Sequence, residues 1–148
     1  MGMGIAQVAA QVAKLDVVVM DANADQIKKQ LAFTEKLLEG NVTKGKITAQ
    51  DKEETLKRIS ATTSLDDLAS VDFVVEAVKE DWKVKEAIFK NLAQITKPST
   101  ILASNTSSIS ITKIAGAVGP ARADKVIGMH FMNPVRVRYL LPFSAMQT

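Results

Sequence analysis

The sequence predicts an α/β domain with a mostly parallel sheet and a protruding helical hairpin. Three observations predict it. Short apolar runs alternate with segments of helical periodicity, the signature of βαβ units. Those runs are mostly continuous rather than alternating, as in strands buried on both faces. One stretch, about residues 24–58, is too long and too charged for a simple crossover and reads as a hairpin of two helices.

The elements follow in order. Ile5, Val8, Ala9, Val12 and Leu15 recur at helical spacing, so a helix is expected from Gly4 to Leu15. The valine-rich run that ends at Asp21-Ala22-Asn23 reads as a strand over Asp16–Asp21. Gly40-Asn41 and Lys44-Gly45-Lys46 divide the hairpin, and Thr48 with Asp51 resembles a capping box that opens its second helix. Ile59–Thr62 is a short strand, Leu65–Leu68 one helical turn, and Phe73–Ala77 a central strand. Lys83 to Ile95 forms a helix with Val84, Ile88, Leu92 and Ile95 facing inward. Pro98-Ser99 precedes a strand over Thr100–Ser104, Gly119-Pro120 closes a helix over Ile111–Val118, and Val126–Met129 is the last strand.

Composition narrows the function. A chain of 148 residues, 47% hydrophobic and 24% charged, suits one globular domain with a core. Lysines alternate with acids at Asp51-Lys52-Glu53-Glu54 and Lys83-Val84-Lys85-Glu86, as on solvated helix faces, and the net charge is only +3. Aromatics at 5% are too few for base-stacking platforms, so no nucleic-acid partner is expected. The absence of cysteine excludes disulfides and thiolate metal sites, and a single histidine argues against zinc. No apolar run approaches the ~20 residues of a membrane span. The opening Met1-Gly2-Met3-Gly4-Ile5-Ala6 lacks the Ser or Thr of a myristoylation signal and the features of a secretion signal. An intracellular location, cytoplasm or mitochondrial matrix, is expected.

Two strand ends carry candidate chemistry. His130, the only histidine, follows the last strand. Ser104-Asn105-Thr106-Ser107-Ser108 follows the strand before it. Ligands of open parallel sheets bind at the carboxyl ends of strands, so a base and a hydroxyl cluster there suit proton transfer. A histidine that merely hydrogen-bonds at a strand end is the plainer alternative. At the N-terminus, Gly2 opens a helix and Asp21 ends the following strand about 20 residues on, which is the spacing of a dinucleotide site. The pyrophosphate would lie against the helix N-terminus. Gly2 matches only the last glycine of G-x-G-x-x-G, however, and Asp21 can equally be a strand cap.

Met1 to Val135 resembles the NAD-binding domain of the L-3-hydroxyacyl-CoA dehydrogenases, particularly the 3-hydroxybutyryl-CoA type. The resemblance rests on Met1-Gly2-Met3-Gly4-Ile5-Ala6, Lys44-Gly45-Lys46-Ile47, Val74-Val75-Glu76-Ala77-Val78-Lys79-Glu80, Ser104-Asn105-Thr106-Ser107-Ser108 and His130-Phe131-Met132-Asn133-Pro134, in the family's order and near its spacing. It implies a Rossmann-like, doubly wound fold with NAD as cofactor and a 3-hydroxyacyl-CoA as substrate. It further implies Gly2, Asp21, Glu80, Lys85 and Asn105 toward the cofactor, Lys44 and Lys46 toward the coenzyme A phosphates, Ser107 near the substrate oxygen and His130 as base. The alternatives are a solvated loop acid for Glu80, a helix-face lysine for Lys85, a solvated turn for Lys44 and Lys46, and a helix N-cap for Asn105, Ser107 or Ser108.

Departures from the family are expected to matter. After Val135 the sequence reads as a divergent tail, 136–148, with Pro142 at the position of the family's histidine-orienting glutamate. Residues 1–135 then read as an incomplete NAD-binding domain, without the central first strand, whose two neighbours would lack a ladder partner. The family's C-terminal helical domain, which supplies most of its homodimer contact, has no counterpart. Little activity is expected of the chain alone, and a dinucleotide-binding module without catalysis or a non-enzymatic interaction domain remain as alternatives.

Overall fold

The computed structural model describes residues 1–135. The expected tail and Pro142 lie outside the described residues. The chain divides into two compact units, essentially Met3–Ser64 and Leu65–Asn133, with Gly2 grouped with the second.

The first unit begins with α1 (Gly2–Gln11), which buries Met3, Ile5, Ala6, Gln7 and Ala10. The helix ends before the expected Leu15. Val12 and Leu15 are exposed, and Lys14 takes a left-handed φ of 57°, which turns the chain toward the strand. Strand β1 (Val17–Met20) pairs in parallel with β2 (Ile59–Thr62), Val17 opposite Ile59 and Met20 opposite Thr62. Between them run α2 (Ala24–Thr43) and α3 (Ala49–Lys57). Only Ile27, Thr34 and Leu38 of the twenty residues of α2 are buried, as expected of a largely solvated hairpin. Gly40-Asn41 does not break α2: the helical hydrogen bonding continues past it, with Lys44 N–H donating to Gly40 O. The break falls at Gly45, whose φ of 66° ends the helix. The capping box on α3 is present with Thr48 and Asp51 in both roles.

In the second unit a 3₁₀ turn (Leu65–Leu68) leads into β3 (Phe73–Glu76), α4 (Trp82–Ile95), β4 (Ile101–Ser104), α5 (Ile111–Val118) and β5 (Val126–Gly128). Strand β4 lies between β3 and β5, parallel to both. The inner stripe of α4 is Lys85, Phe89 and Leu92; the expected Val84, Ile88 and Ile95 are only half-buried. The stripe is displaced because a fully buried lysine, which apolar periodicity cannot register, sits on it.

The strands thus form two parallel sheets, β2-β1 and β3-β4-β5. Among the described residues β1 and β3 each have one partner strand.

Candidate active site

The second unit holds His130, Ser107, Asn105, Glu80 and Lys85. Parallel pairing delivers the ends of β3, β4 and β5 to the same edge, and two hydrogen bonds fix the chain on either side of His130. Met129 N–H donates to Ser104 O at 2.9 Å, and Phe131 N–H donates to Asn105 Oδ1 at 2.6 Å. Asn105 is itself fixed by its N–H, which donates to Glu76 O at 2.8 Å. The half-buried His130 therefore stands beside the turn that presents the exposed Ser107. None of Asn105, Ser107 or Ser108 caps α5; Ser110 does, its hydroxyl accepting from Lys113 N–H at 3.4 Å.

A polar network underlies that turn. Lys85, with no exposed surface, donates from Nζ to both carboxylate oxygens of Glu76, at 2.8 and 2.9 Å, and lies 3.4 Å from Glu80 Oε2. It is therefore not the helix-face lysine that its charged neighbours imply. Glu76 also accepts from Ser104 Oγ at 2.7 Å and Val78 N–H at 2.7 Å. Glu80 Oε1 accepts from the N–H of Ser107 and of Ser108, each at 3.2 Å, from Ser108 Oγ at 3.0 Å and from Thr106 Oγ1. Desolvation pushes the Glu80 carboxyl upward, but the Thr106 and Ser108 hydroxyls, the Ser108 N–H and the Lys85 charge together bring it down to about 2. Glu80 is thus an ionised acceptor holding a turn, not a loosely solvated loop acid.

Sequence reasoning missed Glu76, Ser104 and Thr106 as members of this network. The available signal was Glu76 itself, a carboxylate within the apolar run Phe73–Val78, where a buried charge must find a partner.

The first unit holds Asp21, Lys44 and Lys46. Asp21 lies just past the end of β1; its N–H donates to Thr62 O at 3.3 Å, and its Oδ1 accepts from Asn23 N–H at 2.9 Å. Near it a shallow depression of about 350 Å³ is lined by α2 residues Ala24, Ile27 and Lys28 and by Ala61, Thr62 and Thr63. Lys44 and Lys46 stand exposed at the hairpin tip, with the backbone N–H of Lys46 donating to Asn41 O at 2.9 Å. At the start of α1 no side chain caps the helix, and a Cβ on Gly2 would meet only Ala77 Cβ at 3.8 Å, so packing alone does not demand glycine there. Among the described residues no group of three or more acids and histidine gathers to hold a metal, and no helix is long and apolar enough to cross a membrane.

Known proteins place this architecture. The family model described as "3-hydroxyacyl-CoA dehydrogenase, NAD binding domain" matches residues 1–142. A probable 3-hydroxybutyryl-CoA dehydrogenase of Deinococcus radiodurans is 51% identical over 142 residues, covering 95% of this chain and 49% of that protein. The 3-hydroxybutyryl-CoA dehydrogenase of Bradyrhizobium diazoefficiens is 45% identical over 95% of this chain and 47% of its own length. The crystal structure of 3-hydroxybutyryl-CoA dehydrogenase from Escherichia coli K12 superposes with a TM-score of 0.89 at 42% identity, covering 93% of this chain and 28% of that one. The chain thus spans about half the length of these two curated relatives. By the extent of this match, the chain belongs to the family of 3-hydroxyacyl-CoA dehydrogenase NAD-binding domains.

Proposed function

We propose that the chain is the NAD-binding part of a dehydrogenase that interconverts 3-hydroxyacyl-CoA and 3-oxoacyl-CoA in fatty-acid metabolism. The observation that carries this reading is the setting of the only histidine, held at the strand ends by Ser104 and Asn105 beside the Ser107 turn. In this reading His130 takes the proton of the C3 hydroxyl as the C–O bond becomes C=O, and Ser107 donates to the same oxygen. Bound nicotinamide supplies the acceptor for the hydride leaving C3. Asp21 presents a carboxylate suited to accept from the adenosine ribose hydroxyls, and its charge disfavours a 2′-phosphate, so NAD is the cofactor rather than NADP. The amide groups that open α1 at Gly2 suit a pyrophosphate. Glu80 and Asn105 shape the nicotinamide side, and Lys44 and Lys46 at the hairpin tip meet the coenzyme A phosphates.

Turnover by the 148 residues alone is low in this reading. Pro142, outside the described residues, stands where the resemblance puts the carboxylate that orients the histidine. Removing an orienting carboxylate costs about 10⁴-fold in the serine-protease triad, which serves here only as a scale.

The test is acetoacetyl-CoA reduction with NADH. The purified chain is compared with chimeras that add the preceding segment of the Deinococcus relative, its following segment, or both. The preceding segment is expected to raise NADH binding without turnover, and both together to give turnover. Asp21→Ala should weaken NADH binding in the chimeras. Preference for NADPH, or activity in the bare chain equal to the doubly extended form, overturns the reading. Binding without turnover in every form would leave a dinucleotide-binding module.

A further inference from the structure

We propose that Glu76 is a positioning residue: acting through the buried Lys85, it holds Glu80 and thereby the 106–108 turn that presents Ser107. The proposal deepens the dehydrogenase reading and rests on it for the purpose of that turn. The chain of contacts is continuous and lies within one unit. Glu76 is the last residue of β3 and is 4% exposed, and Lys85 is fully buried one turn into α4. Their ion pair is bidentate, at 2.8 and 2.9 Å. The same ammonium lies 3.4 Å from Glu80 Oε2, and the other oxygen of Glu80 accepts from Ser107 N–H and Ser108 N–H. Glu76 also reaches the β4 end directly through Ser104 Oγ, and its carbonyl accepts from Asn105 N–H. Glu76 therefore fixes both sides of the candidate site: its carboxylate holds the Ser107 turn through Lys85 and Glu80 and the β4 end through Ser104 Oγ, and its backbone carbonyl holds Asn105 on the His130 flank.

This arrangement also defines what Lys85 does. With its ammonium enclosed by Glu76 and Glu80, it has no surface left to offer a cofactor, so its charge acts on the turn and not on a ligand. A buried ion pair contributes little net stability against an apolar replacement, yet breaking one partner is costly.

The experiment is amide hydrogen exchange, read by NMR on the chain as it exists, without cofactor. Ser107 and Ser108 report the turn; Val74 and Leu102, in β3 and β4, report the sheet. Glu76→Gln frees the Lys85 ammonium from its partner. Exchange at Ser107 and Ser108 is expected to quicken at least about 10-fold, the scale of one lost charge-assisted hydrogen bond, with Val74 and Leu102 unchanged. The double variant Glu76→Gln/Lys85→Met removes both charges and keeps the test decisive if the single variant folds poorly. The sheet should then be protected as in the unaltered chain while the turn still exchanges fast. A turn restored together with the sheet, or turn and sheet loosened equally in every variant, shows a pair that serves stability only and overturns the proposal. NADH titration of the unaltered chain and its chimeras is read separately. Failure to bind there sinks the dehydrogenase reading and leaves the exchange result to decide the role of Glu76.

Discussion

Glu80 takes up its proton only near pH 2, because its carboxylate is worth more to the folded chain than to the unfolded one. An unfolded glutamate titrates near 4.5, so between that value and about 2 the unfolded state binds the extra proton. The stabilisation from Glu80 is therefore complete above about pH 4.5 and is lost as the pH falls toward 2. Asp51, Glu54 and Asp124 are lowered as well, each by its own local hydrogen bonds, so the unaltered protein's acid profile contains several groups. Comparison with Glu80→Gln isolates one of them. In urea unfolding the stability gap between the two proteins should be widest near neutral pH and close through that acid window; a gap constant with pH would show that the Thr106–Ser108 contacts do not depend on charge. Arg122 makes a second residue-scale case. It is 7% exposed and donates to Ala93 O at 2.9 Å, Thr96 O at 3.4 Å, Thr96 Oγ1 at 3.2 Å and Thr100 O at 3.2 Å, closing the carbonyl end of α4. Arg122→Met should cost about 2–4 kcal/mol in chemical denaturation, since several buried carbonyls lose their donor together; a loss under about 0.5 kcal/mol would mean that water replaces the guanidinium. Neither Lys85 nor Arg122 was legible as a core residue. A charged side chain in a charged or loop-like neighbourhood reads as solvated, and its buried partners lie 9 residues away for Glu76 and 26 for Thr96, beyond any local pattern.

At the scale of elements, what is local in sequence was legible and what depends on packing was not. The capping box needs only Thr48 and Asp51 at their spacing, and both roles are filled. The helix Ile111–Val118 ends at its own signal, the glycine after it, whereas its N-cap, Ser110, was not among the capping residues read from the sequence. The end of α1 was misplaced because apolar residues continue the helical period where the chain does not, and the inner face of α4 because a buried lysine sits on it. Val12, at 73% exposed, is periodic in sequence and unburied in fact. The short α3 makes the capping signal measurable. Nine residues are too few to be stable by propensity, and the helix buries only Thr55. Thr48→Ala removes the hydroxyl that accepts from Asp51 N–H at 3.0 Å and should destabilise the chain by about 1 kcal/mol. Thr48→Ser should recover most of that loss. Equal losses for the two variants would assign the effect to the methyl group rather than to the cap.

For the whole molecule, the parallel order and all five strands were legible from alternation alone, whereas the division into two sheets follows from pairing rather than pattern. Strand β1 reads Val-Val-Val-Met and hydrogen-bonds only to β2 among the described residues; β3 hydrogen-bonds only to β4. Each leaves an edge of backbone donors and acceptors, and Val18 at 37% exposed and Phe73 at 41% exposed add apolar surface on those strands. Edges of this kind template pairing with another chain unless a charge, a proline or a bulge blunts them; β1 carries no charge or proline, and the one charge of β3, Glu76, is buried against Lys85. The purified chain is therefore expected to self-associate as its concentration rises toward the order of 100 µM. Val18→Lys and Phe73→Lys should each shift sedimentation toward the monomer, and together more than either alone. Such association would be edge pairing, different in kind from the dimer that the family resemblance attributes to a C-terminal helical domain. A chimera carrying the relative's preceding segment distinguishes the two, because a strand supplied in the same chain occupies an edge and should suppress association without any lysine. A chain monomeric throughout that range, or lysine variants that associate as readily as the unaltered protein, would show that side chains around β1 and β3 already shield their edges.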